Sequence, residues 1–292
     1  MKEYSISNIG ALAAETIASA DSGSIIGITS KGAFIRTDDR ILFLTCADYR
    51  SPFNLTISDA DHRLAELQPG DLVVFRTGEL YIPAARITIR TDAAEIWTPP
   101  PPSPLKTPFN DQLALAEQWI KTLARKDPDK GFLFLASESG AQIDVETSHS
   151  VRSLLEGFKQ GNFEKLMSGV RVLLGRGGGL TPSGDDLVTG FFLYHMRYDQ
   201  AVDIVRPVIH DWLSQVTQLA FERTTTISAN RLAAARRGWS EELFLKIIDA
   251  LFDSTNQLDS GFFERLISFG HSSGVDTFMG IYFAIKSMLS NI

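Results

Sequence analysis

The sequence predicts an α+β protein with a small β-rich N-terminal domain, barrel- or sandwich-like, and a larger, mainly α-helical C-terminal domain. Short runs of β-branched and aromatic residues between turn signals fill the chain up to Trp97. From Asp111 onward, apolar residues recur at helical spacing instead. A chain of 292 residues is long enough for two domains. We expect them at 1–98 and 109–292, joined by a proline-rich linker at 99–108.

The β-rich part contains three strand signals. Two hairpins are predicted, one at 32–44 around an Asp-Asp turn and one at 72–82 around Thr77-Gly78-Glu79. Alternating apolar and polar residues predict a half-buried strand at 85–90. Short strands separated by such turns fit either a small barrel or a sandwich.

The linker contains consecutive prolines, which hold the backbone near the extended polyproline II conformation. Beyond it the pattern is helical. The predicted helices span 111–126, 150–160, 163–174, 183–198, 203–223, 227–237, 241–253, 259–269 and 273–289. The apolar stretch 132–135 fits either a lone strand or a buried turn.

The composition excludes several functional classes. A net charge of −7 and a pI near 5.3 argue against a broad nucleic-acid surface, although a small anionic substrate remains compatible with a local cluster. The single cysteine, Cys46, excludes an intrachain disulfide and a Cys-based zinc site. Residues 1–20 lack the pattern of a signal peptide, and the most apolar windows are too short to span a bilayer. We expect a cytoplasmic protein that binds neither nucleic acid nor membrane.

The strongest chemical signal is a glycine-rich turn followed by a helix start. Residues 175–179 contain four glycines, among them Gly177-Gly178-Gly179, which is more than a helix C-cap needs. Such a run allows backbone N–H groups to turn toward one point and bind an anion. The next helix begins with Thr181-Pro182-Ser183-Gly184, and its N-terminus adds partial positive charge where a phosphate or carboxylate binds.

Two adjacent carboxylates, Asp185 and Asp186, lie in the first turn of that helix. Acidic residues there stabilise the helix dipole, which is a sufficient structural explanation. However, they also repel the anion that the glycine turn attracts. A site that contains both therefore needs a cation or a donor group between them, such as Mg²⁺ or a ligand ammonium or amide. The sequence indicates no other cofactor.

The same pattern, Ser-Gly-x-Asp-x-x-x-Gly, occurs at 183–190 and again at 273–280. We interpret the two copies as an ancient duplication whose helix starts are related by a local pseudo-twofold axis. Asp186 and Asp276 would then face one cleft. Gly190 and Gly280 would allow the two helices to approach closely. In a chain with 22 glycines, chance agreement is the alternative.

Two further segments supply polar side chains. His271, just before the second copy, is either a general acid, general base or phosphate ligand, or else a capping or core histidine. Between the copies, Thr224, Ser228 and Arg231 share one side of a predicted helix, where they would bind a carboxylate or phosphate. The alternative there is a simple N-cap run of threonines.

Three segments together resemble the family of AllH, a subunit of bacterial oxamate carbamoyltransferase. They are Gly-Leu-Thr-Pro-Ser-Gly-Asp-Asp at 179–186, the Thr run with Ile-Ser and Leu at 224–232, and Gly-His-Ser-Ser-Gly-x-Asp at 270–276. The resemblance covers the helical domain, whereas the β-rich part is similar only in general layout. One departure is the turn itself, where Arg176 and an extra glycine leave the substrate open.

The resemblance implies reversible carbamoyl transfer between carbamoyl phosphate and oxamate, with FdrA-like and AllG-like partner subunits and a place in purine and allantoin catabolism. The glycine turn would hold the phosphate, Arg231 or His271 would stabilise charge on the carbonyl group, and Asp185 or Asp186 would hold the amide. No covalent nucleophile is needed. The candidate catalytic residues are Asp185, Asp186, His271 and Asp276; the candidate substrate- or phosphate-binding residues are Gly177, Gly178, Gly179, Thr181, Ser183, Gly184, Thr224, Ser228, Arg231, Ser272, Ser273 and Gly274.

Two alternatives stay open. A non-catalytic metabolite-binding or scaffold subunit would fold around a ligand while a partner performs the chemistry. A Mg²⁺-dependent phosphate-transfer enzyme would use Asp185 and Asp186 as metal ligands.

Overall fold

The structure is a computed structural model that describes residues 2–57, 64, 66–136 and 144–289. It divides into two compact units, Met1–Pro100 and Pro101–Ile292. The predicted α+β class is confirmed, because a β-barrel is followed by a helical region. None of the helices in the described ranges is long and apolar enough to cross a membrane.

The N-terminal unit is a closed barrel with one short helix. Its elements are β1 (Lys2–Gly10), α1 (Ala11–Ser19), β2 (Ser22–Thr29), β3 (Gly32–Thr37), β4 (Arg40–Thr45), β5 (Asn54–Ile57), β6 (Leu72–Arg76), β7 (Glu79–Ile82), β8 (Ile87–Arg90) and β9 (Glu95–Trp97). The strand order is β5-β4-β3-β2-β6-β7-β8-β1, and β1 closes the ring by pairing with β5 as well. β9 resumes the parallel pairing that β8 makes with β1. Closure decides between the two predicted architectures in favour of the barrel.

Both predicted hairpins are confirmed. β3 and β4 pair antiparallel, with Thr37 opposite Arg40 around a turn in which Asp38 has a φ of 53°. β6 and β7 pair around a turn in which Gly78 has a φ of 75°. Alternate side chains of these strands fill one buried core, as their period-two pattern requires. Its members include Ile35, Leu42, Leu44, Val73, Leu80 and Ile82.

The first two elements, β1 and α1, were not predicted from the sequence. The apolar residues Tyr4 and Ile6 of β1 are buried but alternate with Ser and charged residues, so the run is not strongly hydrophobic. All strand partners of β1 lie far along the chain, where a local pattern cannot reveal them. Gly10 joins the two elements, and a Cβ there would overlap the backbone of Ser51.

The helical unit contains each predicted helix, with ends shifted by at most five residues. The helices are α2 (Phe109–Lys126), α3 (Val145–Lys159), α4 (Phe163–Leu173), α5 (Ser183–Ala201), α6 (Pro207–Arg223), α7 (Thr226–Ala235), α8 (Glu242–Phe252), α9 (Phe262–Ile267) and α10 (Ser273–Met288). The stretch that fitted a strand or a turn is a 3₁₀ helix, Gly131–Ala136. The strand alternative was therefore wrong.

α5 and α10 form the centre of this unit and pack through two glycines in equivalent positions. A Cβ on Gly190 would overlap the carbonyl oxygen of Thr277, and a Cβ on Gly280 would overlap that of Leu187. Leu187 and Thr277 hold the same place in the two copies of the repeated pattern. The contacts are therefore reciprocal, as a pseudo-twofold relation requires.

The helix starts are equivalent too. A Cβ on Gly184 would overlap the last turn of α4 at Leu173, and a Cβ on Gly274 would overlap α9 at Leu266. Each copy of the pattern therefore uses its first glycine against the preceding helix and its second against the other copy.

The second half of the proline-rich segment is fastened to the helical unit. The Ser103 amide donates to Asp249 Oδ1 at 2.8 Å, and the Lys106 and Thr107 amides donate to the Phe252 carbonyl oxygen at 2.8 and 2.9 Å. Lys106 Nζ also lies 2.7 Å from Asp253 Oδ2. These contacts hold residues 103–107 against the C-terminal end of α8.

Gly280→Ala is expected to lower the free energy of unfolding by about 2–3 kcal/mol, because the added methyl group forces two helix backbones apart. Inside a helix without such a contact, alanine is favoured over glycine by about 1 kcal/mol. A decrease in the free energy of unfolding therefore indicates the close helix contact, and an increase indicates its absence. Chemical denaturation measures it. Gly178→Ala is the control, since a Cβ there has no atom within 4 Å. Equal stability of the two variants would contradict the close helix contact.

Candidate functional site

The N-termini of α5 and α10 meet, and hydroxyl groups from both contact one another. The Thr181 hydroxyl lies 2.8 Å from the Ser273 hydroxyl, and the Ser183 hydroxyl lies 3.2 Å from that of Ser272. We call this region the paired N-termini. Four of the predicted binding residues are thus brought together, two from the start of each helix.

The glycine turn leads into the paired N-termini and requires its glycines. Gly175, Gly177 and Gly179 have φ angles of 78°, 113° and 87°, a left-handed region that other residues rarely adopt. Residues 177–180 are exposed. Among the described residues, the amides of 177–181 donate to no protein acceptor. These amides are therefore available to a ligand.

Arg176, the departure in the turn, is engaged by α3. Its guanidinium donates to both oxygens of Asp144 at 2.7 and 2.9 Å and to Glu146 at 2.7 Å. The Thr147 hydroxyl and this guanidinium lower the pKa of Asp144 to about 2. Arg176 thus anchors the turn to the start of α3.

Asp185 is buried, and both of its oxygens have protein donors. Oδ1 accepts the Gly175 amide at 2.7 Å, and Oδ2 accepts the Thr224 hydroxyl. Burial raises the pKa of Asp185, and these hydrogen bonds act against that rise. Asp185 therefore connects the glycine turn to the junction between α6 and α7.

Asp186 is completely buried but only half satisfied. Its Oδ1 contacts Nη1 of Arg231, whereas Oδ2 has no hydrogen-bond partner among the described residues. Burial raises the pKa of Asp186 to about 7; the Arg231 charge and the nearby Ser273 hydroxyl oppose this rise, and the charge of Asp276 adds to it. Buried polar atoms are almost always paired, so an unpaired carboxylate oxygen requires a functional explanation.

Asp276 occupies the equivalent position on α10, and again only one of its two carboxyl oxygens is hydrogen-bonded. Its Oδ1 accepts the Phe132 amide at 2.7 Å, and its Oδ2 has no partner in the described part of the chain. Burial raises its pKa, while the nearby hydroxyls of Ser183 and Ser272 lower it. Gly131 is needed here, because a Cβ at that position would overlap the Asp276 carboxylate.

Arg231 is the cation beside the acidic side chains. Besides contacting Asp186, its Nε donates to Glu241 Oε1 at 3.1 Å, and its Nη2 lies 3.5 Å from Oε2 of the same residue. From the sequence we expected a metal or a ligand group between the paired acids and the anion. In the structure the protein's own guanidinium lies there, and two carboxylates already engage it.

Glu241 was missed by the sequence analysis, as was the backbone at Gly131 and Phe132. In the sequence Glu241 is the first residue of the helix predicted at 241–253 and resembles an ordinary exposed helix start. The available signal was Arg231 itself, because a buried guanidinium with five N–H groups needs more than one carboxylate. Only the fold shows which carboxylate that is.

The predicted Thr224–Ser228–Arg231 face needs a correction. Thr224 lies before α7, whose N-cap is Thr225; the Thr225 hydroxyl accepts the Ser228 amide at 3.1 Å and donates to the Leu180 carbonyl oxygen at 2.7 Å. The N-cap alternative therefore applies to Thr225. Thr224 and Arg231 nevertheless face the acidic pair, with Thr224 on Asp185 and Arg231 on Asp186.

His271 is exposed, and a positive charge on it would lower the pKa of Asp276. It holds the position that Thr181 has in the first copy of the pattern. The two copies are therefore equivalent in backbone, but the side chain two residues before each copy differs.

The paired acids do not fit a Mg²⁺ site. In the described ranges there is no group of three or more His, Cys, Asp or Glu side chains able to hold a metal ion. Gly175 and Thr224 occupy the oxygens of Asp185, and Arg231 occupies one oxygen of Asp186. The two carboxylates thus face different partners.

Comparison with known proteins finds a family match for the segment that contains most of this site. Residues 173–285 match the family described as oxamate carbamoyltransferase subunit AllH. This segment is AllH-like. It runs from the end of α4 into α10, so it includes both copies of the repeated pattern, Arg231 and Glu241; the barrel and Gly131 lie outside it. The resemblance noted in the sequence is confirmed. No solved structure matches the chain.

The pH dependence of stability tests the buried state of Asp186. Because burial raises its pKa from 3.8 to about 7, the folded protein holds this proton more tightly than the unfolded chain. The resulting stabilisation is complete below pH 3.8 and is lost as the pH rises toward 7. Asp186→Asn removes this titration. The stability of the variant relative to the wild type should therefore rise by about 1 kcal/mol per pH unit between about pH 5 and about pH 7.

Chemical denaturation at each pH measures this difference. Comparing the variant with the wild type cancels other titrating groups, such as buried His195, whose pKa is lowered by burial. The matched control is Asp211→Asn, an exposed aspartate on α6. A difference that stays flat for Asp186→Asn as it does for the control would rule out the raised pKa.

Proposed function

We propose that this chain is a subunit of a cytoplasmic carbamoyltransferase that moves a carbamoyl group between carbamoyl phosphate and a small carboxylate such as oxamate. The AllH-like segment supports the reaction class. The observation that carries the proposal is the pair of completely buried carboxyl groups, Asp186 and Asp276, each with one oxygen lacking a partner among the described residues.

The site offers complementary groups to both ends of such a substrate. The exposed amides of the glycine turn suit a phosphate or a carboxylate, since backbone N–H groups and a helix N-terminus attract anions. The unpaired oxygens of Asp186 and Asp276 suit the N–H groups of a carbamoyl or oxamate amide. The two kinds of group would therefore bind opposite ends of the substrate.

The transfer requires no covalent intermediate with the protein. The oxamate nitrogen attacks the carbamoyl carbon, the bond from that carbon to the phosphate oxygen breaks, and the nitrogen loses one proton. An Asp186 or Asp276 carboxylate would accept that proton. Arg231 already pairs with two carboxylates, Glu241 and Asp186. The exposed His271 is therefore the better candidate to stabilise charge on the carbonyl oxygen.

A second candidate function is a metabolite-binding or scaffold subunit whose partner performs the chemistry. It is favoured because the side chains of Asp185 and Arg231 form their hydrogen bonds within the protein. In either case FdrA-like and AllG-like subunits are the expected partners. Magnesium-dependent phosphate transfer has no support from the residues at the site, because the adjacent acids do not face a common point.

Phosphate release from carbamoyl phosphate in the presence of oxamate tests the proposal. The full chain is assayed alone and with its partner subunits, each with and without Mg²⁺. We expect release that depends on oxamate. Asp186→Asn and Asp276→Asn should each lower kcat/KM by about 100-fold or more, the usual share of a general acid or base. Asp211→Asn, far from any of these contacts in sequence and exposed, should leave it unchanged.

The partner arms separate the two candidate functions. Turnover that needs partner subunits but is insensitive to Asp186→Asn and Asp276→Asn would favour the scaffold role. No turnover in any arm, with oxamate and carbamoyl phosphate both failing to bind, would refute both.

A further inference from the structure

The buried charges at the paired N-termini do not balance. Four carboxyl groups and one guanidinium are nearly inaccessible: Asp186 and Asp276 are 0% exposed, Asp185 1%, and Glu241 and Arg231 6% each. The 3₁₀ helix Gly131–Ala136 packed on α10 adds no titratable side chain, and His271 is exposed. Four negative charges against one positive charge are costly in a protein interior, and a carboxyl group in that situation keeps its proton.

Hydrogen bonds divide these four carboxyl groups into two kinds. Glu241 has donors on both oxygens, because Arg231 reaches both of them and the Ser240 hydroxyl donates to Oε2 at 2.7 Å. Asp185 also has donors on both oxygens. A carboxylate with a donor on each oxygen is stabilised in its charged form.

Asp186 and Asp276 differ from those two groups in the same way. Each has a donor on Oδ1, whereas Oδ2 makes no hydrogen bond within the described residues. The nearby hydroxyls of Ser273 for Asp186, and of Ser183 and Ser272 for Asp276, lower the pKa of these carboxyl groups. An oxygen without a donor is the place where a carboxyl group carries its own proton at least cost. The carboxyl group that keeps its proton is therefore either Asp186 or Asp276.

We propose that, before substrate binds, one of Asp186 and Asp276 is a neutral carboxylic acid and the other a carboxylate, and that the pair recognises a primary amide group. This inference rests on the proposed function. The acid O–H donates to the amide carbonyl oxygen, and the carboxylate accepts an amide N–H. The pair thus offers one donor and one acceptor. An ammonium group would need acceptors at both positions, and a carboxylate would need donors at both. The pair therefore favours an amide over charged groups of equal size.

Glu241 maintains this state as a positioning residue that does not contact the substrate. It takes two nitrogens of Arg231, so the guanidinium charge is divided between Glu241 and Asp186. In Glu241→Gln the whole charge acts on Asp186. An opposite charge beside a carboxyl group lowers its pKa by about 1–3 units. The proton shared by the pair should therefore leave at lower pH in that variant.

Carbon-13 NMR of the full chain, labelled at the aspartate side-chain carboxyl carbon, measures this directly. Spectra are recorded from about pH 5 to about pH 8 without ligand. In the wild type we expect one buried carboxyl signal that titrates near neutral pH and is missing or altered in Asp186→Asn and Asp276→Asn. In Glu241→Gln its midpoint should fall by about one unit or more.

Glu242→Gln is the matched control, since Glu242 pairs with Lys246 and not with Arg231. It should leave the midpoint unchanged, as should Glu241→Asp, which keeps the charge if Glu241→Gln fails to fold. Wild-type spectra in which the signals assigned to Asp186 and Asp276 by the Asp186→Asn and Asp276→Asn variants are both already ionised at about pH 5 would overturn the proposal. An unchanged midpoint in folded Glu241→Gln would overturn the role of Glu241.

Calorimetry at about pH 6 with oxamate and oxalate tests the amide preference, because oxalate replaces the amide by a second carboxylate. Oxamate should bind at least about tenfold more tightly, as the loss of one buried hydrogen bond to a charged group implies. Equal affinity would overturn the amide preference. An amide preference without phosphate release in any arm of the assay would count against the carbamoyltransferase alone, so the two failures remain distinguishable.

Discussion

The close contact between α5 and α10 is the constraint on which the site depends. Gly190 and Gly280 each lie against a carbonyl oxygen of the opposite helix, at a distance that admits no Cβ. Because the contacts are reciprocal, the two helices meet at the same height, and so do their N-termini. This brings the positive ends of two helix dipoles together, along with the hydroxyl groups of their first turns. Asp186 and Asp276 are the acidic side chains that lie in these first turns, and the same contact buries them.

Local and periodic signals allowed most of this to be predicted from the sequence. The helices followed from apolar spacing, and the pairing of α5 with α10 followed from a pattern repeated ninety residues later. The barrel closure did not, because β1 finds its partners β5 and β8 only through long-range pairing. Glu241 and Gly131 were missed for the same reason. Each acts on a site residue from an element whose proximity the sequence does not reveal.

Asp185 and Asp186 show why two adjacent acids were hard to interpret from the sequence. Neighbouring residues of an α-helix point about 100° apart, so they rarely share a ligand. Asp185 faces the glycine turn and Thr224, and its role is to hold that turn in place. Asp186 faces Arg231 and the second helix. The structural and the functional interpretations of the pair were both reasonable, and the structure supports the first for Asp185 and motivates the second for Asp186.

The pseudo-twofold relation is also broken where it matters for chemistry. Asp186 has a guanidinium on its bonded oxygen, whereas Asp276 has only a backbone amide. A full positive charge stabilises a carboxylate more than a peptide dipole does, but Glu241 draws part of that charge away. The exposed glycine turn precedes α5, whereas the exposed His271 precedes α10. A symmetric backbone with asymmetric partners gives the two acids different proton affinities, and such a pair binds an asymmetric group, such as an amide, in one orientation.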